Sequence, residues 1–130
     1  MSFHIEQFSF DKCIVIMECI GSLVHPHCVP LRTAVREQLK LGKKAIILDL
    51  LQVTAFNESG LGEIITAYAA APGYSSYLSF VFSKKVIRRI ESMKFLHVPV
   101  PYFHTLEEAL NDAQSWCLSQ SIYDRFASTD

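Results

Sequence analysis

Three stretches of the chain are apolar at almost every position, and each is about one strand long. CIVIMECI (13–20), AIILDL (45–50) and YLSFVF (77–82) are rich in β-branched and aromatic residues. That pattern predicts strands covered on both faces. Residues 3–10 alternate only in part, with Phe3, Ile5 and Phe8 apolar, and predict a first strand that is half exposed. Asp11-Lys12 makes the turn into the second strand. VPVPYF (98–103) predicts a short last strand, and its two prolines place it at a sheet edge.

Between these runs the apolar period becomes helical. GSLVHPHC (21–28) reads as a loop. Pro30 then suits the first turn of a helix that carries Leu31, Ala34, Val35 and Leu39. Gly42 stops this helix, with Lys40, Lys43 and Lys44 near its negative end. A second helix carries Leu61, Ile64, Ile65 and Tyr68 on one stripe and ends at Pro72-Gly73. A third, SKKVIRRIESMKF (83–95), aligns Val86, Ile87, Ile90 and Met93. Thr105-Leu106-Glu107-Glu108 has the form of a capping box and opens a last helix with Leu106, Ala109, Leu110, Ala113 and Cys117 inside. The predicted order is β-β-α-β-α-β-α-β-α. Strands separated by single helices make βαβ units, so the sheet should be parallel except at its start.

Composition fits this picture. The 130 residues are 50% hydrophobic and 19% charged, which suits one domain around one core. The polar segment SQSIYDRFASTD (119–130) is expected to fray as a tail, leaving residues 1–118 as the domain. A formal net charge of −1 gives no general attraction to nucleic acid or to an acidic membrane. The apolar runs are too short to cross a bilayer, and MSFHIEQFSF lacks the basic and apolar regions of a signal peptide. Cys13, Cys19, Cys28 and Cys117 form no CxxC pair. They read as reduced thiols in a cytoplasmic protein.

Catalytic and metal chemistry find little support. Ser59 lacks a GxSxG setting, and Asp49 lies within a buried-type strand, where a structural role fits. No GxGxxG or phosphate-binding loop is present. HPHC (25–28) offers ligand types without the spacing of a structural zinc site. Lys84, Lys85, Arg88 and Arg89 suit a solvated helix face, with a phosphate or acidic-partner site as the alternative. The expectation is therefore no enzyme, no metal and no cofactor.

The distinctive stretch is FNESGLGEI (56–64), which joins the most apolar run to the second helix. Asn57 suits an N-cap, and Glu58 puts a negative charge at a helix start, where it stabilises by roughly 0.3–1 kcal/mol when exposed. Gly60 and Gly62 in one turn imply close backbone approach, to the protein's own sheet or to a partner. The helix face with Gly62, Glu63, Thr66, Ala67, Ala69 and Ala70 is small and nearly uncharged. It reads as a docking face or simply as good helix formers.

The element order and AIILDLLQVTAFNESGLGEIITAY together resemble the STAS domain, the fold of anti-sigma factor antagonists. The family pattern is a strand, Asp-Leu, a short loop, then Asp-Ser-Ser/Ala-Gly-Leu-Gly before a helix. Asp49-Leu50, Val53, Phe56, Ser59-Gly60-Leu61-Gly62 and Ile65 fall in place. GSLV (21–24), VIRRIESMKF (86–95) and TLEEAL (105–110) resemble further family features, so the likeness covers roughly residues 5–115. It implies one α/β domain: a mostly parallel four- to five-stranded sheet, mixed at its first strand and packed by about four helices.

The departures from the pattern matter as much. Regulatory members carry a serine that a partner kinase phosphorylates; here the aspartate position is Asn57 and the serine position is Glu58. A carboxylate has no hydroxyl to modify. Glu58 either imitates phosphoserine, with less charge and fewer acceptor oxygens, or only caps a helix. Ser59 is a minor alternative acceptor. The resemblance implies a non-enzymatic bacterial signalling domain acting in partner switching and transcription regulation. The implied partner is an anti-sigma factor or serine-kinase-like protein, with a homodimer left open. Its surface would comprise Ser22, His25, Asn57, Glu58, Ser59, Gly60, Gly62, Glu63 and Thr66. Alternatives are a constitutive subunit of a transporter-associated or stressosome-like assembly, and a small-molecule-binding module at the helix start. At that point Glu58 would repel anions.

Overall fold

The apolar runs form the centre of a five-stranded sheet with helices on both faces. The computed structural model describes residues 2–42, 44–94 and 98–127. In chain order the elements are β1 (Phe3–Ser9), β2 (Ile14–Leu23), α1 (Val29–Leu41), β3 (Ala45–Phe56), α2 (Glu58–Ala70), β4 (Tyr77–Val81), α3 (Lys84–Ser92), β5 (Tyr102–Phe103) and α4 (Leu106–Ala127). A short 3₁₀ turn, Ala71–Tyr74, follows α2. Strand order in the sheet is β1-β2-β3-β4-β5. Only β1 and β2 pair antiparallel; β2/β3, β3/β4 and β4/β5 are parallel. The expected order and sheet class are thus the observed ones.

Alternation explains why the runs are apolar throughout. Val15, Met17, Ile46, Leu48, Leu50, Leu78 and Phe80 face one core, which α1, α2 and α3 complete with Leu31, Val35, Leu61, Ile64, Val86 and Ile90. Ile14, Ile16, Ala45, Ile47 and Val81 face the other, covered by Ala109 and Ala113 of α4. A strand between two helical layers has no face free for polar residues. β1 is half covered: Phe3 is buried, whereas Phe8, of opposite parity, is 48% exposed.

Several boundaries differ from those expected. β2 continues to Leu23 and β3 to Phe56 because their C-terminal ends pair with each other, Gly21 with Val53 and Ser22 with Ala55. β5 is only two residues long, consistent with two prolines that cannot donate to a ladder. α1 ends at Gly42, which adopts φ 67°, a conformation that favours glycine. Thr105 caps α4, accepting from the backbone N–H of Glu108 at 3.2 Å while its hydroxyl donates to Glu108 Oε1. Residues 119–127 are helical rather than frayed. No glycine or proline follows Leu106 to break the helix. Lys43, Phe95 and residues 128–130, for which expectations were also made, lie outside the described residues.

The cysteine expectation needs correction. Cys13 and Cys117 form a disulfide, with Cα atoms 6.3 Å apart across a sequence separation of 104. It pins α4 to the start of β2. Nearby, Tyr77 hydrogen-bonds Asp112 of α4 and stacks on Trp116. Cys19 and Cys28 are free and buried. Burial, and then the charges of Asp49 and Glu18, push the Cys19 thiol up to about 12, so it is inert near neutral pH.

Asp49 is structural. It is 6% exposed, and its Oδ1 accepts the Leu51 N–H at 2.9 Å. Burial raises its pKa above the usual carboxylate value, partly offset by that hydrogen bond. A carboxyl with a raised folded pKa favours the folded state below its unfolded pKa, and that contribution is lost as pH rises through the folded value. Asp49→Asn keeps an acceptor for Leu51 without a buried charge. The variant should melt higher than the wild type at pH 7, with the gap closing toward pH 3. Melting curves across that range check it; a gap independent of pH would contradict it.

Candidate functional site

The 56–64 junction lies where β3 ends and α2 begins. Asn57 is the N-cap: its Oδ1 accepts from Ser59 N at 3.0 Å and Gly60 N at 3.4 Å. These bonds satisfy amide donors that a helix start leaves unpaired. Ser59 Oγ also donates to Asn57 Oδ1 at 2.7 Å and accepts the His25 N–H at 2.9 Å. A relay from His25 through Ser59 to Asn57 thus fastens the loop before α1 to the head of α2.

Glu58 is the first residue of α2 and is exposed. It makes no hydrogen bond or ion pair among the described residues. Its carboxylate therefore stands free at the positive end of the helix, on the same rim as His25, which is also exposed.

Other residues expected on this surface divide sharply. Gly62 and Thr66 are exposed, and a Cβ at Gly62 would meet nothing within 4 Å. Gly60 faces inward: a Cβ there would lie 2.2 Å from the Leu23 carbonyl oxygen. Its missing side chain serves the protein's own sheet. Ser22 is 3% exposed, held within the β2/β3 ladder, and so does not reach the surface as expected. Glu63 is taken up internally. The Arg32 guanidinium of α1 grips it through two nitrogens, with Nε 3.1 Å from Oε2. That contact raises the Arg32 pKa further.

The small-residue face of α2 is accordingly only partly free. Ala67 and Ala70 pack on the core. With Glu63 and Thr66 they form one wall of a shallow cleft against Leu31, Val35 and Arg36 of α1. The open remainder is Glu58, Gly62, Thr66 and Ala69. Arg32 is the residue that sequence reasoning missed. It lies 31 positions from Glu63, and no local pattern links the two.

On the other side of the junction, α3 ties itself to the end of β3. Lys85 Nζ donates to the Thr54 carbonyl at 2.7 Å, and Arg89 Nε donates to the Phe56 carbonyl at 3.2 Å. The basic run thus lies against the strand that leads into Asn57. In the HPHC loop, His25 and His27 are exposed while Cys28 is buried, and the described residues hold no group of three or more His, Cys, Asp or Glu able to bind a metal ion. Among the described residues, no helix is long and apolar enough to cross a membrane.

No family model and no curated protein matches the chain. Solved structures do match in shape. An anti-sigma factor antagonist from Mycobacterium paratuberculosis is similar at a TM-score of 0.73 and 18% identity, over 87% of this chain and 95% of that one. A Thermotoga maritima protein described as an anti-sigma factor antagonist matches at 0.70 and 20% identity, over 85% and 94%. The Bacillus cell fate determinant SpoIIAA in its phosphorylated form matches at 0.63 and 16% identity, over 84% and 98%. With five strands among the described residues in the order β1 to β5, of which only the first pair is antiparallel, and four helices around them, the chain has the STAS fold of the anti-sigma factor antagonists.

Proposed function

We propose that this chain is a non-enzymatic regulatory domain that binds another protein through the head of α2 and the adjoining loop. On this reading it resembles an anti-sigma factor antagonist in which Glu58 replaces the phosphorylatable serine. The observation that carries the reading is Glu58 itself: exposed, first in α2 and unpaired among the described residues. Glu58 shares its rim with the exposed Gly62, Thr66 and His25, which leaves open surface around the charge for a partner. The partner class is an anti-sigma factor or serine-kinase-like protein, and the role is partner switching in bacterial transcription regulation. That one antagonist of this fold is described in phosphorylated form supports a charge-sensitive site.

Ser59 is a poor substitute acceptor. Its hydroxyl already donates to Asn57 and accepts from His25, so modification would break the relay that holds the loop. Glu58 carries one negative charge where phosphoserine carries about −1.5 to −2. It therefore holds the domain near one end of a switch instead of moving it. The proposed setting is the cytoplasm. Thiols there stay reduced, so in that setting Cys13 and Cys117 would be free thiols that close the bond only on oxidation, and alkylation before lysis followed by mass spectrometry reads their state in cells.

Affinity capture from the native cell with wild type, Glu58→Ser and Glu58→Lys as baits tests the reading. An ATPase-fold kinase or anti-sigma factor should be gained or lost with the charge at position 58. Equal capture of one partner in fixed stoichiometry by all three baits would leave Glu58 a helix-terminus charge and make the chain a constitutive subunit.

A further inference from the structure

We propose that the groove between the end of β3 and α3 binds an amphipathic organic anion, a small molecule with an apolar body and one carboxylate or sulfonate head. This site is separate from the Glu58 rim and does not depend on the protein-binding reading. It arises because β4 pairs with β3 only as far as Asp49, while β3 runs on to Phe56 beside β2. The outer edge of residues 50–56 therefore faces α3 instead of a strand. The space between them measures about 510 Å³, within the roughly 300–1,000 Å³ of small-molecule sites.

The walls define the ligand. Val53, Phe56 and Val86 supply apolar surface, and Lys85, Arg88 and Arg89 supply charge. Among the described residues, no acidic side chain lines the groove. Lys85 and Arg89 are held by the Thr54 and Phe56 carbonyls, which fix the cations in place without neutralising them. Arg88 makes no hydrogen bond or ion pair among the described residues. Three neighbouring cations without a counter-charge among the described residues repel one another, and an anion between them relieves that repulsion. An apolar body on the floor adds burial, so each half of the ligand has its own complement.

The same contacts disfavour a peptide strand. A strand added to this edge would need the Thr54 and Phe56 carbonyls as acceptors, and Lys85 and Arg89 already occupy them. Those two side chains protect the edge in the way exposed sheet edges are commonly protected. The basic run in SKKVIRR thus has a structural use, edge protection, that leaves its charges free for a small anion.

The test uses the full chain at low salt, with 8-anilinonaphthalene-1-sulfonate as a fluorescent probe and dodecanoate as competitor. Dodecanoate should displace the probe. Dodecanol, its neutral counterpart, should be about tenfold weaker or worse, since a charge-assisted contact is lost. Arg88→Glu is an exposed helix substitution that should leave the far-UV spectrum unchanged while weakening dodecanoate about tenfold. Lys40→Glu, on α1 and outside the groove, should leave binding within about twofold. Equal competition by dodecanol and dodecanoate, or unchanged binding in Arg88→Glu, would overturn the proposal. So would hexaglutamate competing as well as dodecanoate, because the occupant would then be an acidic peptide.

Discussion

Gly60→Ala is expected to destabilise the protein by about 3 kcal/mol, while Gly62→Ala, two residues along the same helix, should stabilise it by up to about 1 kcal/mol. The opposite signs follow from what each new methyl group meets. At Gly60 the Cβ would lie 2.2 Å from the Leu23 carbonyl oxygen and 3.2 Å from the Leu23 side chain. A backbone oxygen cannot rotate away, so α2 must move off β2. Alanine's better helix propensity recovers only about 1 kcal/mol of that. At Gly62 the methyl group enters open space, and only the propensity gain remains. Urea unfolding of both variants measures the difference directly. Gly60→Ala should also loosen the Ser59–His25 tether, because displacement of α2 carries Ser59 with it. Gly62→Ala, properly folded, is the sharper probe of docking: lost partner capture with raised stability would mark Gly62 as an interface position. A Gly60→Ala variant as stable as wild type would show that the close approach of α2 to β2 is relaxed in solution.

Loss of the Cys13–Cys117 bond should cost about 4–5 kcal/mol, the loop-closure entropy returned to the unfolded chain when a tie across roughly a hundred residues is cut. The sequence separation is 104, near the upper end for a domain of this size. For most small domains that is a large fraction of the total stability. The double variant Cys13→Ser/Cys117→Ser avoids a stray thiol and should show a lower urea midpoint. A second readout is chemical. Native protein should present no reactive thiol, because Cys19 and Cys28 are buried. Denatured protein should present two without reductant and four with it, the count of all cysteines. Four thiols without reductant would mean that the bond is absent in the isolated protein. Loss of the bond should act first on α4, which otherwise holds this end of the sheet through Ala113, Trp116 and Tyr77.

Both effects arise where local sequence and tertiary packing part company. The strands were legible because burial on both faces removes polar residues from a run, which leaves a local signature at 13–20, 45–50 and 77–82. The helices were legible through stripes such as Leu31, Val35 and Leu39, and through caps written into single residues, Asn57, Thr105 and Gly42. The parallel sheet followed from the alternation of those elements, since a crossover helix leaves few other arrangements. Glu58 was legible as a charge at a helix start because position along a helix is itself local.

What the sequence could not decide were the pairings between distant positions. Ser22 looks like a loop residue until β2 and β3 are seen to extend beside each other, which buries it. Gly60 and Gly62 look equivalent, and only the path of β2 makes one a necessity and the other a free surface. Arg32 and Glu63, Cys13 and Cys117, and Lys85 and Thr54 are brought together by the packing of whole elements, and no periodicity records which side chains will meet. Local pattern therefore set the elements and their order in this protein. The tertiary structure decided which residues of the α2 face remain open, and it alone created the basic groove beside β3, because that groove exists only where one strand outlasts its neighbour.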